Sequence, residues 1–461
     1  QVTDNLQIGL DYLHGNSDNY REGSEYDKDN YGISLNYKID NNQKINFKYT
    51  KYTNDYSSPA VLTQAQLDKD RDGASTSETD YQADKDSYSL VYDYNMKDNL
   101  KFNLLSSYYN SVSESSTSTS ITNFDESKIA FKPKLNYEYS KGTLTAGYDY
   151  TFNNIVRDTK LGNGAFYDIS KMTNSVFLNN RYNMNKLELI TGYRYEKSDY
   201  EMKDQKYGTK TPSDMDKTSS NSAYSMGLNY LYSDSGKLYG KFESGYTFPD
   251  PRQYINLTNG EGELNNLQDE EFMTYEIGFQ DYIINSLVKG AVYYTEKENE
   301  IRKEGSSLNA KFYNIDASKR IGGELSISQN IKKLELSESI AYVDAKVTEG
   351  TYEGKRIPYV SKITSSINAT YTLNEKVDLS ANITYRDKYY VDASNLSGLV
   401  NDKFVTDIKV NYSIDSNWKT YAGINNLFNA DYYNTINYSS GAYTYDPASE
   451  RNYFIGFNYS F

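Results

Sequence analysis

Four features are absent or scarce in this sequence, and each absence excludes a class of protein. The 461 residues contain no Cys and one His, which excludes disulfide frameworks, thiolate metal sites and cysteine nucleophiles. No segment approaches the roughly 20 consecutive apolar residues that a transmembrane helix needs. Positive charge is outnumbered, and the formal net charge of -14 argues against nucleic-acid binding, which requires a basic face.

Aromatic and turn-forming residues are abundant instead. Tyr occurs 51 times and Phe 17 times, against seven Pro and one Trp. Tyr and Thr favour strands, and Asn, Ser and Asp favour turns. The mean hydropathy of -0.80 is low, but a membrane-barrel strand turns only every second residue towards lipid. The composition therefore predicts one large all-β structure and is compatible with a transmembrane barrel.

The segment from Arg451 to Phe461 alternates strictly between apolar and mostly polar residues. Its apolar side consists of Tyr453, Ile455, Phe457, Tyr459 and Phe461. This period of two is typical of a strand with one apolar face. A chain that ends on an aromatic residue of such a strand resembles the carboxyl-terminal assembly signal of bacterial outer-membrane β-barrels.

The same period recurs along the chain, most clearly in Tyr31 to Ile39 and Leu144 to Phe152. Short connections between such segments lie at Asp40 to Asn42, Lys97 to Asn99, Ser140 to Gly142, Met184 to Lys186, Ser233 to Gly236, Asn330 to Lys333, Asn374 to Lys376 and Asp415 to Asn417. Long polar connections lie at His14 to Asn30, Thr53 to Asp86, Asn154 to Lys171, Ser198 to Asn221, Phe248 to Glu270, Tyr390 to Asp402 and Asn429 to Glu450.

Short and long connections take turns along the chain. An outer-membrane barrel has this order because tight turns face the periplasm and long loops face the cell exterior. The pattern predicts a transmembrane antiparallel β-barrel with about 20 visible strands. The segment from Leu6 to Leu13 leads into a long loop, so the first and last strands would be able to pair antiparallel. Neither face of Trp418 to Phe428 is cleanly apolar, which indicates a bulge or a close approach of something inside the barrel.

Several motifs, in a shared order, resemble those of TonB-dependent outer-membrane receptors. Asn425 to Tyr433, followed by a long loop and the final strand, looks like the last two strands of that family. Tyr275 to Phe279 is similar to its Y-E-x-G-x strand. Further similar motifs are Pro59 to Asp68, and Tyr313 to Ile315 followed by Gly323 to Leu325.

The resemblance implies a barrel of about 22 strands that encloses an amino-terminal plug. Such receptors import scarce nutrients with energy from a TonB, ExbB and ExbD complex. The sequence shows no plug-sized segment before Leu6, and about two strands are missing from the count. We therefore expect residues 1 to 461 to be the barrel domain of a longer protein whose plug and first strands lie outside this chain.

The function implied by this resemblance is uptake of a scarce nutrient, in the first place a ferric siderophore, by a monomer in outer-membrane lipid. The resemblance implies no cofactor. A passive porin-like channel is the alternative, because barrels of roughly 16 to 18 strands enclose water. A soluble Tyr-rich adhesin is a third possibility and would lack a continuous apolar belt.

Catalytic and metal sites have weak signals. His14 begins the first long connection, and we interpret it as an exposed residue rather than a catalytic base, so no enzyme is expected. Asp68, Asp70 and Asp72, followed by Gly73, match the opening of a calcium loop. Thr79 stands where that loop would carry a bidentate Glu. A solvated loop is the alternative to a calcium site.

Ligand binding is expected in the long connections, where aromatic rings and hydrogen-bond donors hold a large polar ligand. The candidate contacts are Arg252, Tyr254, Tyr389, Tyr390, Tyr443 and Tyr445. Arg252 and Tyr254 follow a segment that resembles the F-R-A-P loop of haem receptors, but no His is near. Packing within the loops is the alternative for each Tyr. Glu276 and Glu324 are expected to line the barrel interior.

Overall fold

One antiparallel β-sheet forms the wall of the molecule. The computed structural model describes residues 3, 5–74, 78–160, 164–206, 214–256, 263–304, 311–439 and 441–460. Within them the sheet has 20 strands, and each pairs with the sheet strands that precede and follow it in the chain. This up-and-down order is that of the predicted barrel wall, with the predicted number of strands.

The strands are β1 (Leu6–Ser17), β2 (Tyr26–Lys38), β3 (Gln43–Pro59), β4 (Glu78–Lys97), β5 (Leu100–Ser116), β6 (Ile121–Tyr139), β7 (Gly142–Thr159), β8 (Phe166–Met184), β9 (Leu187–Lys206), β10 (Met215–Leu231), β11 (Lys237–Thr247), β12 (Glu270–Ile283), β13 (Ser286–Glu304), β14 (Lys311–Ile331), β15 (Leu334–Glu349), β16 (Ile363–Asn374), β17 (Val377–Arg386), β18 (Lys403–Ser413), β19 (Trp418–Asn425) and β20 (Asn452–Tyr459).

Connections at the two ends of the sheet differ in length, as predicted. At one end, the turn end, strands are joined by tight turns, among them residues 140–141. At the other, the loop end, connections run to residues 248–269 and 426–451. The turn at Ile284 and Asn285 was not predicted, and both of its φ angles are positive, at 50° and 65°. Positive φ at both central residues is the requirement of a type I′ hairpin turn.

The long connections are shorter than predicted because the strands extend further. Thr53 to Asp86 was expected to be a loop, yet β3 continues to Pro59 and β4 starts at Glu78. His14 lies within β1 rather than in a loop. Alternation of apolar residues is needed only where a strand crosses lipid, while the hydrogen-bond ladder continues beyond that zone. A connection at residues 350–362 was not predicted, and Phe461 lies outside the described residues.

Apolar side chains of the wall strands point outwards and remain exposed. Ile277 in β12 is 69% exposed and Val176 in β8 is 50% exposed. On β20, Tyr453, Ile455, Phe457 and Tyr459 are all exposed, as their alternation predicted. A soluble protein rarely exposes so large an apolar surface. The outer face is therefore a belt suited to contact with lipid.

Small residues and aromatic rings face each other on the inner side of the wall. Gly423 in β19 pairs with Phe454 in β20, and a Cβ on Gly423 would lie 2.3 Å from the Phe454 ring. Gly456 pairs with Tyr421 in the same way. An aromatic ring that lies over a cross-strand glycine covers backbone that would otherwise be bare. Gly423 thus lies against a ring of the neighbouring strand, and the register of Trp418–Asn425 has no bulge. A close approach of something inside the barrel stays a prediction.

The sheet has two edges in the described part of the chain. β1 pairs with β2 and β20 pairs with β19, whereas the predicted pairing of β1 with β20 is not formed there. Leu10 on β1 is 78% exposed and Ile455 on β20 is 70% exposed. The edge strands thus carry the most exposed part of the apolar belt.

A short helix and a small sheet lie at the loop end. Helix α1 (Gln64–Lys69) begins with a capping box in which Thr63 and Gln66 bond each other's backbone. Leu62–Thr63 pairs with Ala442–Pro447, which also pairs with Tyr433–Ser439, so these segments form a three-stranded sheet. Among the described residues no helix has the length and apolar character to cross a membrane.

The lipid belt leads to a first prediction. We expect Leu325→Arg, on the outer face of β14, to destabilise the barrel by about 2–4 kcal/mol in lipid, because a charge at mid-height must leave water. Ser326→Arg, one residue further along and on the inner face, is the matched control and should be close to neutral. Equilibrium unfolding of the vesicle-inserted protein in denaturant measures both. Equal destabilisation of the two variants would contradict the assignment of the faces.

Candidate functional site at the loop end of the lumen

Polar and charged side chains line the inner face of the wall. Arg194 in β9 donates hydrogen bonds to Asp149 at 2.8 Å and to Glu196 at 3.0 Å. These residues border a cavity of about 890 Å³. Glu276 and Glu324 also face inwards, as predicted, and Tyr239 donates to Glu276 at 2.8 Å. The lumen is therefore lined by polar and charged side chains.

Residues 248–254 and 265–269 of the connection after β11 fold back over the inner face of β8 to β10. The buried side chains of this region, here called the Tyr254 cluster, are Ile155, Tyr167, Ile169, Tyr200, Met202, Tyr254 and Leu267. Tyr200 donates a hydrogen bond to the Pro249 carbonyl at 2.9 Å. Lys217 donates to the Leu267 carbonyl at 2.5 Å. The connection is thus fixed to the wall by burial and by hydrogen bonds at both of its ends.

Two predicted ligand contacts lie in this region, in different environments. Tyr254 is fully buried, and its hydroxyl has no hydrogen-bond partner among the described residues. Arg252, two positions earlier in the 3-10 helix Pro251–Tyr254, is 58% exposed and pairs with Asp250 at 3.0 Å. Arg252 therefore presents a cation to solvent, whereas Tyr254 anchors the loop.

Three other predicted contacts meet in a second cluster, here called the Tyr389 cluster. Its members are Tyr389, Val391, Val400 and Ile436, with Tyr433, Tyr438, Tyr443 and Tyr445 packed around them. Tyr443 donates a hydrogen bond to the Ser397 carbonyl. Tyr390 is half-buried outside the cluster, and its carbonyl accepts from the Tyr359 backbone N–H at 2.7 Å. The structure thus brings Tyr389, Tyr443 and Tyr445 together and places Tyr390 beside them.

The connection at residues 387–402 is held by one carboxylate. Asp392 accepts from the backbone N–H groups of Leu396 and Ser397, both at 3.0 Å, and from the Ser394 hydroxyl. Partial burial raises the pKa of Asp392, but these hydrogen bonds outweigh it and lower the pKa to about 2. The carboxylate is ionised at any physiological pH, so this connection keeps its shape.

Two arginines in connections near the first strands of the sheet bind the connection that precedes its last strand. Arg21, which is buried, pairs with Asp446 at 3.2 Å and donates to the Ala60 carbonyl at 2.9 Å. Arg71 pairs with Asp431 and donates to the Tyr432 carbonyl at 2.6 Å. Each arginine thereby links an early connection to the one between β19 and β20.

The predicted calcium ligands lie next to these arginines. Asp68 is in helix α1 and accepts from Gln64 at 2.7 Å. A hydrogen bond that the protonated Asp72 carboxyl donates to Asp70, together with partial burial, raises the pKa of Asp72. Among the described residues, the group of three whose ligand atoms lie within 4.8 Å of one another is His14, Asp27 and Asp29. Calcium binding by Asp68, Asp70 and Asp72 stays a prediction.

His14 lies on the outer face of β1. It faces Asp29 at 3.1 Å, and Asn16 contacts its other ring nitrogen at 3.2 Å. The single histidine is therefore tied into a polar cluster outside the lumen, away from both loop clusters.

The buried carboxyl of Asp269 leads to a second prediction. Burial raises its pKa, so the closed loop binds this proton more tightly than the open loop does. Ionisation of Asp269 therefore destabilises the closed loop at neutral pH. The closed loop regains this stability as the pH falls through the raised pKa and the carboxyl becomes protonated. We expect Asp269→Asn to slow backbone hydrogen exchange in residues 265–269 at neutral pH, with the difference disappearing as pH falls.

Asp250→Asn, which changes an exposed carboxylate in the same connection, is the control for this experiment. It should leave the pH dependence of exchange unchanged. A pH dependence that survives in Asp269→Asn would assign it to another group.

Comparison with known proteins identifies the family. The model of the TonB dependent receptor-like β-barrel matches residues 3–427. A probable TonB-dependent siderophore receptor, PiuA of Acinetobacter baumannii, is 25% identical over 234 residues, which are 46% of this chain and 30% of PiuA. The catecholate siderophore receptor Fiu of Escherichia coli K12 is 22% identical over 249 residues, 51% of this chain and 32% of Fiu. The matched stretch thus spans about a third of each relative's length.

A solved structure has the same architecture. The closed form of the ferric-catecholate import receptor Fiu from E. coli K12 superposes with a TM-score of 0.83 at 14% identity, over 100% of this chain and 78% of that one. This likeness shows the fold. Together with the family match, it establishes that the chain belongs to the TonB-dependent receptors and forms the β-barrel that such receptors place in the outer membrane.

Proposed function

We propose that this barrel belongs to a receptor that takes up a ferric siderophore across the outer membrane in a TonB-dependent step. The observation that carries the proposal is the family match over residues 3–427, joined with siderophore receptors as relatives in both sequence and structure. We also propose that the receptor takes its energy from TonB with ExbB and ExbD through a plug and acts as a monomer. The unpaired edges of β1 and β20 support the expectation that further strands complete the wall.

The loop end favours a receptor over a passive porin. The connection after β11 packs onto the inner face through the Tyr254 cluster, and the connections at residues 387–402 and 426–451 pack against each other in the Tyr389 cluster. Two arginines tie two earlier connections to residues 426–451. A passive channel conducts through an open water-filled lumen. Inward-folded connections that leave a polar side chain such as Arg252 exposed suit capture of a ligand before transport.

The predicted contacts divide into two roles in this proposal. Arg252 and Tyr390, which are not buried, meet the ligand, as do the partly exposed edges of Tyr443 and Tyr445. Tyr254 and Tyr389 are buried and hold these connections in position.

The function is tested by uptake of radiolabelled ferric siderophores into cells that express the full-length receptor. We expect saturable uptake of at least one siderophore that falls to background when TonB is deleted, because release from a plugged receptor requires energy. The porin alternative predicts uptake that neither saturates nor depends on TonB. That second result would reject the proposal.

Arg252 provides a test of ligand contact. Arg252→Ala should raise the siderophore concentration for half-maximal uptake by about tenfold, the size expected for one charge-assisted hydrogen bond. Asp250→Asn is the matched control because it removes the partner and keeps the cation. An unchanged half-maximal concentration in Arg252→Ala would remove Arg252 from the site.

A further inference from the structure

Eight cationic side chains at the loop end of the lumen lie against aromatic rings. Their charged ends are between 4.0 and 5.6 Å from the ring centres. This set, here called the cation collar, consists of Lys28, Lys85, Arg157, Lys171, Lys217, Arg356, Arg386 and Lys403. Seven of them are on wall strands from β2 to β18, and Arg356 is on the connection after β15.

No member of the collar forms an ion pair in the described part of the chain, because none has a carboxylate oxygen within 4.0 Å there. Asp269 attracts Lys171 and Lys217 from a greater distance, and Asp407 attracts Lys403. Other inward carboxylates at the same end are bound by cations outside the collar. Glu300, for example, is 4% exposed and pairs with Arg302 at 2.5 Å and Arg320 at 2.6 Å. The collar is therefore only partly balanced by carboxylates, and Arg386 is among the members without an ion pair.

Two members of the collar face each other directly. Arg386 in β17 and Lys403 in β18 are register partners, and like charges opposite each other destabilise a sheet pair. Asp407, on the same inner face, already accepts from the Asn426 backbone N–H at 2.8 Å. A bound anion between the two cations would remove their repulsion.

The guanidinium of Arg386 carries a second indication of a ligand. Its Nε is buried and has no hydrogen-bond partner among the described residues. One face of the guanidinium lies 4.7 Å from the Tyr389 ring centre, which fixes its plane. A planar guanidinium with free donors matches two oxygens of one anionic group. Lys403 lies 4.0 Å from the Tyr432 ring centre and supplies the second charge.

The geometry points to a receptor that selects a multiply anionic, ring-bearing iron chelate, with Arg386 and Lys403 as the contact for its anionic oxygens. This inference deepens the proposed function and rests on it. Cations held on aromatic faces offer a ligand both charge and a surface for stacking. A separate chamber of about 650 Å³, lined by the collar residue Lys28 and by Tyr52, is within the volume range of ligand pockets. Carboxylates at the same height, such as Asp27 and Asp55, alternate to the outer face.

The test is equilibrium binding to the full-length receptor in detergent micelles with two probes. One is the trianionic iron(III) complex of a triscatecholate, and the other is a neutral iron(III) trishydroxamate. We expect the wild type to bind the trianionic complex at least about tenfold more tightly, and added salt to narrow the difference. Equal affinity for the two probes would overturn the inference.

Variants locate the contact. The double variant Arg386→Gln with Lys403→Gln should weaken triscatecholate binding by at least about tenfold and leave trishydroxamate binding within about twofold. The matched control is Lys132→Gln with Lys134→Gln, which removes the same charge from the inner face of β6 farther from the loop end. A control that loses as much affinity, or a double variant that loses none, would reject the Arg386 and Lys403 contact.

A second collar pair keeps the test decisive if the first variant does not fold. Lys28→Gln with Lys85→Gln should weaken triscatecholate binding by several-fold, since it removes two collar charges and keeps a polar side chain at each position. Unchanged binding would overturn the collar as a whole. A receptor that binds the trianionic complex selectively but imports no ferric siderophore would instead reject the proposed function and leave the charge selection standing.

Discussion

The structure depends on one constraint, which is that backbone N–H and C=O groups in hydrocarbon must bond to each other. A chain without long apolar runs satisfies it with strands that pair side by side, as β1 to β20 do. The period of two then assigns every second side chain to lipid and the others to the lumen. A protein with a mean hydropathy of -0.80 can therefore carry an exposed apolar belt.

Because of the same alternation, the outer face of the wall is apolar and the inner face is largely polar, and the described part of the wall has no separate hydrophobic core. Outside, packing requires only size and apolar character, so Tyr, Ile and Val interchange along the belt. Inside, glycine and aromatic residues pair across strands, as Gly423 does with Phe454, and charged side chains find partners, as Arg194 does. Compact apolar clusters form where a connection packs onto the inner face, as around Tyr254, or where two connections pack against each other, as around Tyr389. The site is thus assembled from loops that the wall positions.

Features that depend on the local alternation of apolar residues were predicted from the sequence. Features that depend on which residues of neighbouring strands lie opposite each other were not. The outward face of β20 was predicted residue by residue, because its pattern is local. The ends of β3 and β4 were not, because their upper parts leave lipid and lose the apolar signal while the ladder continues. Tyr389, Tyr443 and Tyr445 were grouped correctly as loop residues, but whether each packs or binds depends on neighbours distant in sequence. The Arg386 and Lys403 pair was not predicted, because these two residues become neighbours only through the register of β17 with β18. Its one local signal is a cation within a few residues of a Tyr at a strand end.

Net charge is a poor guide to the sign of a site in such a wall. The chain carries -14, yet the inner face at the loop end holds eight cations that form no ion pair among the described residues. Alternation makes this possible because adjacent residues such as Asp27 and Lys28 project to opposite sides of the same strand. Field lines from the inner cations are confined by a low-dielectric wall and converge in the lumen. The exclusion of nucleic acid, which needs an extended basic outer surface, is therefore compatible with selection of a small anion inside.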